Sequence, residues 1–116
     1  MWDLGDLSVE AEFDEAQEIE MVQAYFGGEP KPADYGRIVI YKAMCDLLWT
    51  LWGLIQHANE NPAEDFWAYS TQRFDRCRKL MGTAEFSRHL AAVATDCQFQ
   101  SNLGQFSGVR SEHFPE

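Results

Sequence analysis

The sequence is poor in basic residues and contains no long hydrophobic run. Nine Lys and Arg residues oppose nineteen Asp and Glu residues, which gives a formal charge of −10. Such a surface repels phosphate backbones and anionic lipids, so we expect no nucleic-acid partner. The longest apolar stretch without a charge covers residues 47–55, far short of the roughly 20 residues of a membrane-spanning helix. We therefore expect no membrane span.

Cysteine is also scarce, and its arrangement argues against structural disulfides. The chain has three cysteines, which lie far apart in the sequence: Cys45, Cys77 and Cys97. Disulfide frameworks need paired cysteines and an oxidising compartment. The first residues lack the basic region and the apolar core of a signal peptide. These features favour a cytoplasmic protein.

The length and the composition predict one folded helical domain. The chain has 116 residues, of which 46% are hydrophobic and 14% aromatic, enough for a single packed core. No segment alternates polar and apolar residues with a period of two, and no Asn-Gly or Asp-Gly hairpin turn occurs. The expected class is all-α, as a bundle of four to five helices.

Helix start and stop residues place the first two of these helices. Asp14 is a suitable N-cap for a helix that Gly27 and Gly28 end. A second, longer helix covers about residues 33–59 and is apolar on nearly every side, which predicts a buried central helix. Gly53 within it can bend the helix or allow another element to pack closely.

Two further helices follow, and the periodicity then ends. Pro62 can open a helix at its first position, and Gly82 ends it. Thr83 is suited to cap a short amphipathic helix through its hydroxyl. Because apolar residues lose helical periodicity from Thr95 onward, we expect a helical region at 1–94 and an irregular tail at 95–116.

Motifs of self-sufficient enzymes are missing from the sequence. It has no Gly-rich phosphate loop, no H-x-x-x-H or paired-cysteine metal motif and no G-x-S-x-G elbow. The three histidines, His57, His89 and His113, are scattered along the chain. We therefore expect no metal site and identify no catalytic residue.

Aromatic residues form the strongest remaining concentration of chemistry. Trp49 and Trp52 lie three residues apart, on one face of the central helix. Phe66 and Tyr69 come early in the next helix, which must fold back after a short turn and so bring the rings together. The rings can fill the core between the two helices, or they can form a cage for a quaternary ammonium ion. The negative net charge agrees in sign with a cationic ligand.

Several of these segments resemble choline/ethanolamine kinases, which belong to the aminoglycoside phosphotransferase family with a protein-kinase-like fold. The resemblance covers about residues 1–93. It is carried by WDLGDL at 2–7, IYKAMCDLLWTLWGLIQ at 40–56, DFWAY at 65–69 and QRF at 72–74. The matching region of the family is the C-terminal, helical end of the larger lobe.

The resemblance implies roles for five residues. Trp49, Trp52 and Tyr69 would help to enclose the trimethylammonium group of choline, with Phe66 as a neighbouring wall. Asp3 matches an acid that braces the catalytic loop of the family, a loop that is missing from this sequence. The intact family uses ATP and Mg²⁺ to phosphorylate a small amino alcohol. With no nucleotide-binding or catalytic loop, we expect this chain to be inactive alone.

Two hypotheses of different classes follow. In the first, the chain is a C-terminal part or a degenerate paralogue of a choline-kinase-like phosphotransferase and contributes the choline-binding aromatic side. In the second, it is a non-catalytic helical interaction module. Such a module would dock on a separate N-terminal kinase portion or form a homodimer, because apolar faces of the central helix would otherwise stay uncovered.

Overall fold

A computed structural model describes residues 1–107 of the chain. Within them the structure has no strand, so the predicted all-α class is confirmed. Five helices follow one another along the chain: α1 Trp2–Glu10, α2 Glu15–Phe26, α3 Pro32–Ala58, α4 Phe66–Met81 and α5 Ala84–Ser107.

The central helix is α3, as predicted, and both α4 and α5 pack against it. Gly53 of α3 lies against Ser70 of α4, and Gly36 lies against His89 of α5. Both helices run antiparallel to α3. They follow each other along its length, with α4 on the C-terminal half of α3 and α5 on the N-terminal half. Their junction surrounds a buried core of four residues: Val39, Ala43, Cys77 and Phe86.

The first helix crosses α3 at a very short distance. A Cβ atom on Gly5 would lie 2.9 Å from the Cβ atom of Tyr41, so only glycine permits this approach. Sequence patterns alone do not identify a helix at residues 2–10. The segment has no side-chain N-cap, and glycine in its interior is unfavourable for a helix, so contact with α3 stabilises it.

The predicted cap of α2 is confirmed. The Asp14 carboxylate accepts a hydrogen bond of 2.9 Å from the Gln17 backbone, and the Gln17 side chain accepts one of 3.0 Å in return. Gly27 ends the helix in the left-handed conformation, with φ of 71°. The buried Glu18 anchors α2 to its neighbours: it is paired with Lys42 and accepts a hydrogen bond of 3.0 Å from the Tyr35 hydroxyl.

The start of α4 differs from the prediction. Pro62 does not open the helix, because the Asn61 side chain accepts a hydrogen bond from the Ala63 backbone and so forms a turn. Asp65 is the N-cap instead, and its carboxylate accepts a 3.0 Å hydrogen bond from the Ala68 backbone. The prediction for Thr83 is confirmed, since its hydroxyl accepts a 3.2 Å hydrogen bond from the Phe86 backbone.

The prediction of an irregular tail from Thr95 is wrong for residues 95–107, which continue α5. Residues 97–104 are all exposed, including Phe99 and Leu103. Residues 97–104 bury no face, so their sequence needs no apolar stripe, and helical periodicity does not reveal this part of α5. The remainder of the predicted tail, 108–116, lies outside the described residues.

Among the described helices, α3 is long and apolar enough to cross a membrane. The core helix of a soluble protein meets the same criterion of length and composition. Here α3 contacts α1, α4 and α5, as a central helix does. The expectation of no membrane span remains a prediction.

Candidate functional site

The four aromatic residues singled out in the sequence lie together between α3 and α4, and we call them the aromatic cluster: Trp49, Trp52, Phe66 and Tyr69. Trp52 is at the centre, with ring-centroid distances of 5.8 Å to Trp49, 5.5 Å to Phe66 and 5.9 Å to Tyr69. These three pairs and the Phe66–Tyr69 pair are edge-to-face, a favourable geometry for aromatic rings. The prediction that these rings meet is therefore confirmed.

The cluster has a buried side and an exposed side. Phe66 is only 5% exposed, whereas Trp52 is 39% exposed. Phe66 therefore supports the ring of Trp52 from the protein interior, and Trp52 presents indole surface to solvent. Both the core-filling role and a ligand-binding role fit this arrangement.

Gly53 makes the close contact of α3 and α4 possible. A Cβ atom at this position would overlap the Ser70 hydroxyl and would lie 2.8 Å from Cδ1 of Tyr69. Without a side chain, residue 53 lets Tyr69 reach Trp52 across the helix pair. The close packing predicted for this glycine is confirmed.

Carboxylates of α1 border the aromatic cluster. The indole nitrogen of Trp49 donates a hydrogen bond of 3.4 Å to Asp6. Glu10 lies four residues later, on the same face of α1, and accepts hydrogen bonds of 2.5 and 3.1 Å from Arg73 of α4. Sequence patterns did not mark Asp6 or Glu10 as site residues.

Arg73 connects this acidic border to the rings. Its guanidinium carbon lies 4.9 Å from the ring centroid of Tyr69, within the range of a cation–π contact. The hydrogen bond from Arg73 is the main cause that lowers the pKa of Glu10, and the positive charge of Arg73 adds to it. Burial raises the pKa of Tyr69, so this residue presents a neutral phenol ring.

A buried carboxylate on α3 completes the network. Asp46 is 1% exposed and accepts hydrogen bonds of 2.7 and 2.6 Å from Arg76, while Arg73 lies 3.5 Å away. Sequence patterns did not predict this cluster. An acid inside an apolar stretch, followed on the next helix by two arginines three residues apart, is the pattern that could have revealed it.

Two other sequence-based expectations concern Asp3 and metals. Asp3 is exposed in the first turn of α1, and its role as a brace for a catalytic loop stays a prediction. In residues 1–107, no three His, Cys, Asp or Glu side chains converge as a metal-binding group. The expectation of no metal site remains a prediction.

Cation–π surfaces bordered by carboxylates define a class of site that suits small organic cations. A search of solved structures supplies the family. The chain matches the crystal structure of a choline/ethanolamine kinase family protein from Mesorhizobium loti, with a TM-score of 0.77 and 70% sequence identity. The match covers 79% of this chain and 31% of that protein. No protein-family model and no curated protein matches.

The chain belongs to the choline/ethanolamine kinase family, as the sequence resemblance predicted. It spans about one third of the length of the relative that it matches. An identity of 70% over most of the chain means that the helical architecture described above is the architecture of this family region.

Proposed function

We propose that this chain supplies the amino-alcohol-binding side of a choline/ethanolamine-kinase-like phosphotransferase. The observation that carries the proposal is the aromatic cluster, in which Trp52 touches three other rings and is itself exposed. In the proposed reaction, ATP with Mg²⁺ phosphorylates the hydroxyl of choline or a similar small cationic alcohol, in a cytoplasmic protein.

The physical basis is the chemistry of the ammonium group. A trimethylammonium group has a positive charge and an apolar surface, so it binds to the faces of aromatic rings, with roughly 0.5–2 kcal/mol from each desolvated contact. Asp6 at the border of the cluster favours a cation further. The net charge of −10 raises the local concentration of cations.

Nucleotide handling falls to other parts of such an enzyme. Phosphoryl transfer depends on groups that position the metal and the γ-phosphate, and the sequence has none of the motifs that do so. We expect no turnover when this chain alone is incubated with ATP, Mg²⁺ and choline in a coupled assay. Measured turnover would contradict that expectation.

Calorimetry with choline tests the binding proposal directly. The variant Trp52→Leu should weaken choline binding about tenfold, because a contact of 1.4 kcal/mol corresponds to that factor. The matched control is Trp67→Leu, since Trp67 is an exposed indole on α4 that packs on His57 outside the cluster. Equal affinities of native protein and Trp52→Leu would refute the proposal.

A second candidate function rests on a different surface, which we call the α3 stripe: Met44, Leu47, Leu48, Leu51, Leu54 and Ile55. Each of these side chains is between 38 and 57% exposed, and no charged residue interrupts residues 47–55. Contiguous apolar surface of this kind marks an interaction site in soluble proteins. The matched relative is about three times longer than the matched region, so an N-terminal kinase portion is the partner that this surface fits best.

Co-purification separates this interaction from self-association. The tagged N-terminal two-thirds of the Mesorhizobium loti relative should retain the native chain and lose it with Leu48→Glu/Ile55→Glu. The control carries two new acids on an exposed face of another helix, Gln98→Glu/Gln100→Glu. Sedimentation of the isolated chain as a dimer that the same α3 variant dissociates would favour the homodimer instead.

A further inference from the structure

We infer that Arg73 is a positioning residue for the ligand site: it fixes the ring of Tyr69, and Glu10 of α1 fixes Arg73. This inference rests on the proposed function of the aromatic cluster. It adds residues outside the cluster and a specific contact through which they act.

The first step is the restraint on Arg73. Its side chain is only 15% exposed, and it lies between two carboxylates on different helices. Glu10 accepts two hydrogen bonds, of 2.5 and 3.1 Å, from different guanidinium nitrogens. Asp46 approaches one of these nitrogens from α3 at 3.5 Å. A planar guanidinium bound in this forked manner has a fixed orientation as well as a fixed position.

The second step is the contact with the ring. Tyr69 precedes Arg73 by one helical turn, and the guanidinium carbon lies 4.9 Å from the ring centroid. The same ring meets Trp52 and Phe66 edge-to-face, at 5.9 and 6.2 Å. Contacts from three residues leave the ring little freedom to rotate, so the surface that Tyr69 offers a ligand is set before binding.

The third step concerns charge. An unpaired arginine beside the cluster would repel a cationic ligand, but the carboxylate of Glu10 balances the charge of Arg73. Glu10 therefore has two effects: it orients the guanidinium, and it cancels the repulsion. Loss of its charge should weaken the binding of a cation even where the fold is unchanged.

The test uses the full chain, choline as the probe and two glutamates that lie close together in sequence. Glu10→Gln removes the charged partner of Arg73. The control Glu12→Gln removes a carboxylate that is 75% exposed and lies 3.7 Å from Arg76. We expect Glu10→Gln to weaken choline binding about threefold to tenfold, while Glu12→Gln binds like the native chain. Glu10→Asp should restore part of the affinity.

A spectroscopic readout distinguishes positioning from general destabilisation. Ring resonances of Tyr69 in the ligand-free chain should shift in Glu10→Gln and in Arg73→Lys, and stay in place in Glu12→Gln. If Glu10→Gln kept the native affinity and unshifted Tyr69 resonances, the positioning role of Arg73 would be overturned, while the proposed function would stand. Absence of choline binding by the native chain would instead overturn the proposed function, and the inference that rests on it.

Discussion

Asp46 and Arg76 join α3 to α4 through two hydrogen bonds of 2.7 and 2.6 Å, although Asp46 is almost completely buried. A buried carboxylate is stable only when it is paired and hydrogen-bonded. Arg76 provides both the opposite charge and the hydrogen bonds. Hydrogen bonding to Asp46 in turn is the main cause that raises the pKa of Arg76.

Removal of the Asp46 charge should destabilise the protein strongly. We expect Asp46→Asn to lower the free energy of unfolding by about 3 kcal/mol, because it leaves Arg76 without its buried partner. The control Asp34→Asn removes a carboxylate from the more exposed pair with Arg37 and should cost less than about 1 kcal/mol. Urea denaturation measures both, and equal losses would contradict the prediction.

A methyl group at residue 53 should force α3 and α4 apart. Alanine is favoured over glycine in a helix by about 1 kcal/mol, but the new Cβ would overlap Ser70 and lie 2.8 Å from Tyr69. Because overpacking costs roughly 1–3 kcal/mol, we expect Gly53→Ala to be destabilising on thermal unfolding. Gly82→Ala is the control, since the nearest atom to its Cβ would be 3.4 Å away; a larger loss there would argue against the packing described.

Stability should depend on pH through His89. Burial lowers the pKa of His89 below its ordinary value of 6.5, despite the opposing charge of Glu18. The folded state therefore favours the neutral imidazole. Its contribution to stability is complete above pH 6.5 and is lost as the pH falls from there through the lowered pKa.

The variant His89→Phe tests this dependence. It keeps a ring against Tyr35, where the native ring centroids are 5.0 Å apart, but it cannot accept a proton. Unfolding measured by denaturant between pH 7.5 and 5 should show a smaller loss of stability for the variant than for the native chain. Parallel curves would exclude His89 as the source.

Thiol labelling should distinguish the three cysteines. Burial raises the pKa of Cys45 to about 12 and also raises that of Cys77, whereas Cys97 is exposed on α5. Since the thiolate is the reactive form, we expect one label per native chain at neutral pH. Cys97→Ser should take up none until denaturant exposes the other two thiols, and early labelling of that variant would contradict the burial of Cys45 and Cys77.

The sequence predicted those elements whose determinants are local. Asp14 and Thr83 cap helices through bonds to residues three positions away, so their roles can be read from a short window. Helix α1 could not be found in this way, because its stability comes from contact between Gly5 and α3. Residues 97–104 of α5 have no buried face, so the sequence there shows no periodic pattern.

For the candidate site, helical spacing was enough to bring the four rings together. The partners of Arg73 were not predictable, because Glu10 and Asp46 are 63 and 27 positions away in sequence. Only the way in which α1 crosses α3 places Glu10 beside Arg73. The ring positions thus follow from one helix pair, whereas the charges around them follow from the tertiary fold.

The arrangement of α4 and α5, one after the other along α3, has a consequence for cooperativity. Each of them stabilises a different half of α3, and the chain turns between them at Gly82 and Thr83. The amide protons of α3 should therefore exchange with solvent in two groups, one governed by the detachment of α5 and one by that of α4. The half of α3 that carries the tryptophans can stay folded while its other half opens.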